Sequence, residues 1–296
     1  MGLPLLLAST FLLSMKGIFA KLAYAAGAGV DATLFYRFLM SLPIVWGFLL
    51  YKKKIHFVRN AERSEMLFIF GLSFFGYYLG SKLDYTALSL IGAGVSRIIL
   101  FTYPVFVVFM TALFLKKMPT RPQILTVLFT QVGLFCVLGG VNIDVLGVNA
   151  KGALFALGSA LVYAFYILLL SIKGKGIDSQ YLITMVVSFA FVFMCVDVLV
   201  SNPISDLSLT PRAYFWIFIM AVFATALPLT LFAEAVKHMG GSDSAVMSSI
   251  GPVFTMVVSY FALDEHYMPI QILGALTILF SIYYLNRATR TKIKAP

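Results

Sequence analysis

The sequence predicts an all-α polytopic membrane protein, with ten transmembrane helices arranged as two inverted five-helix repeats. Three observations carry the prediction. Of 296 residues, 61% are hydrophobic and 11% charged, and the mean hydropathy is +0.96, whereas a soluble domain is about 25% charged. Apolar runs of about 20 residues, enough to cross a hydrocarbon core of roughly 30 Å, recur along the whole chain and leave no room for a soluble domain. The tripeptide Pro104-Val105-Phe106 recurs as Pro252-Val253-Phe254, 148 positions later.

Charged and glycine-bearing loops mark off the apolar runs in order. Helix one, 3–25, runs to the turn GAGVD (Gly27 to Asp31), which opens helix two, 31–51. KKKIHFVRNAER (Lys52 to Arg63) separates that helix from helix three, 66–88. Helix four, 91–115, stops at KKMPTR (Lys116 to Arg121), where helix five, 120–140, begins. After Asp144 comes helix six, 151–172, edged by Lys151, then GKGID (Gly174 to Asp178) and helix seven, 179–201. Helix eight, 212–236, lies between Arg212 and Lys237, and helix nine, 242–263, ends at Asp264-Glu265. Helix ten, 268–287, leads into a basic tail of Arg287, Arg290, Lys292 and Lys294. Only Met1-Gly2 precedes the first run and Lys16 interrupts it, so a retained span is expected there, not a cleaved signal peptide.

A net charge of +10 raises nucleic acid as a partner, but the basic residues are parcelled among alternate loops and gather on no single face. Topology explains them. The basic loops after helices two, four, six and eight, with the C-terminal tail, fall on one side, which the positive-inside rule makes cytoplasmic; both termini are expected there. The expected setting is the cytoplasmic (inner or plasma) membrane. The partners are membrane lipid and a small-molecule substrate, with no nucleic acid, and the chain is a monomer or homodimer. Cys136 and Cys195 fall within helices, and His56, His238 and His266 sit far apart at loop edges, so neither a structural disulfide nor a metal site is expected, and no cofactor.

The Pro-Val-Phe match extends outward. At the same offset Ala87 falls on Ala235, Ser96 on Ser244, Leu115 on Leu263 and Gln123 on Gln271; at an offset of 147, GAGVD falls on GKGID. Two halves follow, 1–145 and 146–296. Five spans is an odd number, so the second half starts from the opposite face and runs inverted, a transporter signature. Lys116-Lys117 after helix four and Asp264-Glu265 after helix nine have the opposite signs that opposite faces require.

The arginine of FYRFLMSLP, the two Pro-Val-Phe copies and LDEHYMPIQILGALTILFSIYYL resemble the EamA branch of the drug/metabolite transporter superfamily over nearly the whole chain. The resemblance implies a cavity between helices one to four and six to nine, with helices five and ten peripheral. It does not identify a substrate.

An ionisable residue at mid-membrane costs about 2.5–3.5 kcal/mol on insertion scales, which makes each one a functional candidate. At 1.5 Å per residue, Lys16 lies about 20 Å into helix one and Lys82 about 24 Å along helix three; Arg37 and Arg97 lie about 9 Å in from the exterior ends of helices two and four. All four fall in the exterior half of the first repeat. Their counterparts Tyr163, Thr184, Thr230 and Ala245 are uncharged. Asp84 cannot pair with all four, so a cavity accepting an anionic group, a carboxylate or phosphate, is expected. Against this, Arg37 has a structural reading as an orienting interfacial residue. Lys82 has one as the partner of Asp84, although residues i and i+2 on a helix do not face each other.

Tyr78, Lys82 and Tyr85 share a helix face, although Tyr85 also suits an interfacial belt. Tyr103, Tyr163 and Ser248 complete the candidate substrate-binding set. Ser248 belongs to a stripe in helix nine (Ser244, Ser248, Gly251, Thr255, Ser259) that serves either the path or close helix packing. Asp84, Glu234 and Asp197 are the candidates for proton coupling. Pro104 and Pro252 free the carbonyls of Leu100 and Ser248, so matched kinks are expected in mid-helix, serving as hinges.

The expected function is a secondary active transporter moving a small anionic or zwitterionic metabolite (an amino acid, organic acid or phosphorylated compound) by alternating access. A membrane-embedded lipid or prenyl transferase would need paired acids, a Ser/His constellation or a metal cluster at membrane depth, and the sequence offers none. Matched helix breaks favour a carrier over a channel. No GxxxxGK[ST] motif is present to suggest direct ATP drive.

Overall fold

The structure, a computed structural model, describes residues 2–137, 150–201, 207–263 and 268–294, apart from the side chains of 92–95, 97, 98, 201, 259, 261–263 and 289–294. Asp144 and Asp264-Glu265 therefore lie outside the described residues, and so does the sign switch after helix nine. The described chain is helical, without a strand.

Its elements are α1 (Gly2–Ser14), α2 (Lys16–Ala25), α3 (Val30–Tyr51), α4 (Ile55–Arg59), α5 (Arg63–Leu72), a π-helical segment Ser73–Leu79, α6 (Gly80–Leu100), α7 (Tyr103–Leu115) and α8 (Arg121–Val137). Then come α9 (Ala150–Lys173), α10 (Ser179–Ser201), α11 (Pro211–Ala221), a second π segment Val222–Ala226, α12 (Leu227–Met239), α13 (Gly241–Met247), a 3-10 turn Ser248–Ile250, α14 (Gly251–Leu263) and α15 (Pro269–Lys294). Among the described residues, seven runs are long and apolar enough to cross a membrane: Gly2–Ala25, Val30–Tyr51, Arg63–Ile91, Ala150–Gly176, Ser179–Val200, Pro211–Met239 and Pro269–Ala288. The apolar helices α7 and α8 are shorter. Leu199 and Phe280 are among the large apolar side chains left exposed, as a lipid-facing surface allows.

One boundary differs from expectation. The separation expected between helices three and four lies inside α6, whose backbone stays helical. A Cβ at Gly80 would touch Val162, one at Gly152 would meet Leu90 and Ile91, and Tyr103 lies back against Tyr163. The interruptions expected near the middle of helices four and nine are present, as a helix break just before each proline. Pro104 stands in the first turn of α7 and Pro252 in that of α14, where a missing N–H costs nothing because no intrahelical partner exists there. Each helix breaks just before its proline, and local hydroxyls cover carbonyls at the breaks: Thr102 donates to Ile99 at 2.7 Å and Ser248 to Ala245 at 2.9 Å.

The two π segments occupy matching places. Val222–Ala226 lies 148 positions after 74–78, within Ser73–Leu79. Just beyond each, a carbonyl accepts a serine from the first helix of the other half: Ser159 donates to Gly80 at 2.9 Å, and Ser9 to Pro228 at 2.7 Å. A π turn widens the helix and leaves carbonyls out of register, so a hydroxyl from a neighbour is the expected remedy.

Helices α8 and α15 pack against each other by exchanged contacts. A Cβ on Gly274 would stand 2.5 Å from the Gly133 carbonyl oxygen, and Thr126 donates to the Ser281 carbonyl at 3.1 Å. Residue 126 is the counterpart of 274, and 133 of 281, so the two contacts are images of one another. Both helices also open with the same cap: Gln123 Oε1 accepts from Thr120 N, and Gln271 Oε1 from Met268 N, each at 2.8 Å.

Candidate functional site

A central cavity of about 150 Å³ is lined from α1, α2, α3, the first π segment, α6, α7, α9, the second π segment, α12, the 3-10 turn and α14. Neither α8 nor α10 nor α15 contributes to it. Position along the helices follows from the 1.5 Å rise: Lys16 and Asp84 lie toward the end where α3 begins, and Tyr163 and Phe232 toward the end where it finishes.

Charge gathers on one wall. Lys16 Nζ lies 2.9 Å from Asp84 Oδ2, with Asp84 almost fully buried. Arg37 is 2% exposed. It donates through Nη1 to the Tyr85 hydroxyl at 2.8 Å and through Nη2 to Ser81 at 3.4 Å. The rings of Phe38, Tyr77 and Tyr85 stand 4.9, 5.5 and 5.4 Å from its guanidinium carbon, a cation–π cage that offsets part of the cost of burying the charge. Arg37 Nε, Thr10 Oγ1 and the Tyr166 hydroxyl have no hydrogen-bond partner, and all three residues line the cavity.

The facing wall is aromatic. Tyr163 stacks on Phe232 at 6.4 Å and on Tyr166 at 5.9 Å, and meets Tyr103 edge-on at 5.0 Å. Tyr163 is the counterpart of Lys16, and Phe232, 148 positions on, is the counterpart of Asp84. One contact of the repeat is therefore a salt bridge in the first half and a ring stack in the second. The Tyr103 hydroxyl shares a 2.6 Å hydrogen bond with Ser248.

Of the residues singled out in the sequence, Lys16, Arg37, Asp84, Tyr103, Tyr163 and Ser248 come together here, with Gly251 and Thr255 of the helix-nine stripe. The Arg97 side chain and that of Ser259 lie outside the described residues. Lys82 and Tyr78 do not line the cavity, which corrects the expectation of four cations around one anion site. Lys82 reaches Asp31 at 2.5 Å and Asp197 at 2.6 Å, so its charge is already balanced at the N-terminal end of α3. Tyr78 packs on Phe193 beside them. Asp84 pairs with Lys16 across helices, because a residue two places from Lys82 projects elsewhere. Tyr85 is 1% exposed and belongs to the Arg37 cage, not to an interfacial belt. Asp197 is a partner of Lys82, and Glu234 accepts from Ser179 at 2.5 Å with His238 at 3.3 Å, so neither reaches the cavity.

At the opposite end of α3, Lys54 pairs with Asp178 at 2.5 Å. Burial opposes the Asp178 charge, but the Lys54 hydrogen bond, the Tyr181 backbone N–H and the nearby Lys54 and Lys237 charges outweigh it and hold the carboxyl below its ordinary value. Asp31 and Asp178 are counterparts in the GAGVD and GKGID turns, and each takes a lysine, at opposite ends of the molecule.

Sequence reasoning missed Phe232, Thr10, Tyr166 and both π segments. The repeat register, applied to Asp84 as it was to Lys16, would have found Phe232. Nothing in the residue pattern marks the π segments.

The EamA-like transporter family matches residues 1–139 and 150–287. The uncharacterized transporter YcbK of Bacillus subtilis (strain 168) is 30% identical over 286 residues, covering 95% of this chain and 91% of YcbK. The uncharacterized transporter YyaM of the same organism is 24% identical over 234 residues, covering 78% and 74% of the two chains. A solved structure, described only as the crystal structure of a protein, shares the fold with a TM-score of 0.78 over 99% of each chain at 11% identity.

Proposed function

The chain belongs to the EamA-like transporter family of the drug/metabolite transporter superfamily, and from that premise we propose that it is a secondary carrier and not an enzyme. It moves a small anionic or zwitterionic metabolite across the cytoplasmic membrane by alternating access. The reading takes the chain as ten spans in two inverted halves, 1–145 and 146–296, with both termini cytoplasmic.

The observation that carries it is the cavity itself, which takes residues from both halves, with its described charges, Lys16, Arg37 and Asp84, all from the first. Duplicated π segments and duplicated breaks before Pro104 and Pro252 flank the cavity, and such paired irregularities give a carrier its moving joints. Ion pairs at both ends, Lys82 with Asp31 and Asp197, and Lys54 with Asp178, support alternation over an open channel, since each can close one end while the other parts.

The test is counterflow in proteoliposomes. Vesicles loaded with a panel of unlabelled organic acids, amino acids and phosphorylated metabolites are diluted into the matching labelled compounds. Transient, saturable accumulation of some panel member is expected. A flux that never saturates would favour a channel, and conversion of the compound to a product would favour an enzyme.

A further inference from the structure

We infer that the central cavity selects a compact monocarboxylate: one negative charge, an apolar body about the size of a single ring, and no ammonium group. The inference deepens the carrier reading and rests on it. Three of the described lining residues carry charge, Lys16, Arg37 and Asp84. Lys16 and Asp84 cancel at 2.9 Å, which leaves the cation of Arg37. No carboxylate among the described residues pairs with it, and it is 2% exposed.

A buried charge is tolerated when a counter-charge and hydrogen bonds reach it. The aromatic cage supplies part of this, and two of the three guanidinium nitrogens have partners, Tyr85 and Ser81. The third, Nε, has none. A carboxylate placed there accepts from Nε–H and brings the sum of charges to zero.

Competing ligands fit the same ledger less well. A zwitterion adds no net charge and leaves the Arg37 cation uncompensated. A phosphate monoester brings about −1.5 to −2 at neutral pH, more than the site lacks. The cavity of about 150 Å³ matches the size that accommodates benzene in an apolar site, and Tyr163, Phe232 and Leu229 are among its lining. The acid group therefore lies toward the Lys16 end and the body toward the Tyr163 end.

The experiment measures binding to the purified full-length protein by calorimetry, with benzoate, benzamide, phenylglycine and phenyl phosphate as probes at neutral pH. Benzoate is expected to bind at least about tenfold more tightly than each of the others, the scale of one hydrogen bond to a charged group. Arg37→Gln should abolish the preference. Because that variant can fail to fold, Asp84→Asn supplies an independent handle: it raises the sum to two positive charges and should shift the preference from benzoate to phenyl phosphate. Equal or tighter binding of phenylglycine, an Asp84→Asn protein with unchanged preference, or no binding of any probe would overturn the inference. Counterflow separates it from the carrier reading. Benzoate binding without counterflow of any compound removes the carrier and leaves the site, whereas counterflow of zwitterions alone does the reverse.

Discussion

The hydroxyls of Tyr103 and Ser248 lie 2.6 Å apart, joining the two helix breaks that precede Pro104 and Pro252. The bond links the halves at the points where each has a weakened helix. Tyr103→Phe removes it while Ser248 keeps its own bond to the Ala245 carbonyl. A stability loss of about 1 kcal/mol is expected, with a larger change in turnover than in apparent affinity. Initial rates of uptake over a substrate series would show this; unchanged rates would exclude a role in the moving joint.

Lys82 stands between Asp31 and Asp197. Lys82→Gln leaves two carboxylates facing each other, and like charges at that range repel. Closure at that end should weaken. In a background lacking Cys136 and Cys195, a cysteine at Ser14 should then react faster with a membrane-impermeant thiol reagent applied to that face, while Lys54→Gln should leave the rate from that face unraised.

Asp178 has a carboxyl pKa held below its ordinary value, so its contribution to stability is present above the unfolded value, about 3.9, and is lost as pH falls through the lower folded value. Acid destabilisation from this group belongs below roughly pH 4. Asp178→Asn keeps a capping oxygen for the Gln180 and Tyr181 amides but no charge. Its melting temperature in detergent should fall less steeply than that of the parent over that acidic range.

Gly274 allows α15 to touch α8. A Cβ there would stand 2.5 Å from the Gly133 oxygen and 2.6 Å from the Val137 nitrogen, both backbone atoms that cannot swing aside. Gly274→Ala should cost about 1–3 kcal/mol, the range for overpacking. Thermal melting would record the loss, and binding to the central cavity should survive in whatever fraction folds, since neither helix lines it.

Ser9 and Ser159 hold the carbonyls beyond the π segments. Replacing either with Ala should cost about 1 kcal/mol. Faster amide exchange should be confined to 222–228 for Ser9→Ala and to 73–80 for Ser159→Ala. Exchange that rises equally in both segments in each variant would show that the two joints do not act separately.

Much of the frame was legible because bilayers impose it. Long apolar runs are read along one dimension, and membrane-spanning helices follow from them. The meeting of Lys16 with Asp84 was not legible, since it joins helices 68 residues apart, and local spacing points Lys82 at nothing in particular. The prolines were the exception: each marked an interruption of its apolar run, at Phe101–Thr102 and at Ser248–Ile250. Apolar composition fits an α turn and a π turn alike, so the π segments left no trace in the sequence.

The exchange of a salt bridge for a ring stack, Lys16–Asp84 against Tyr163–Phe232, gives the molecule a compass. In the proposed inverted arrangement, two identical copies of one contact would present the same surface to both faces of the membrane, and a solute between them could lie either way round. With different chemistry at the two copies, a bound molecule has a fixed heading. In the proposed carrier it would cross tail toward one compartment and head toward the other, without turning over.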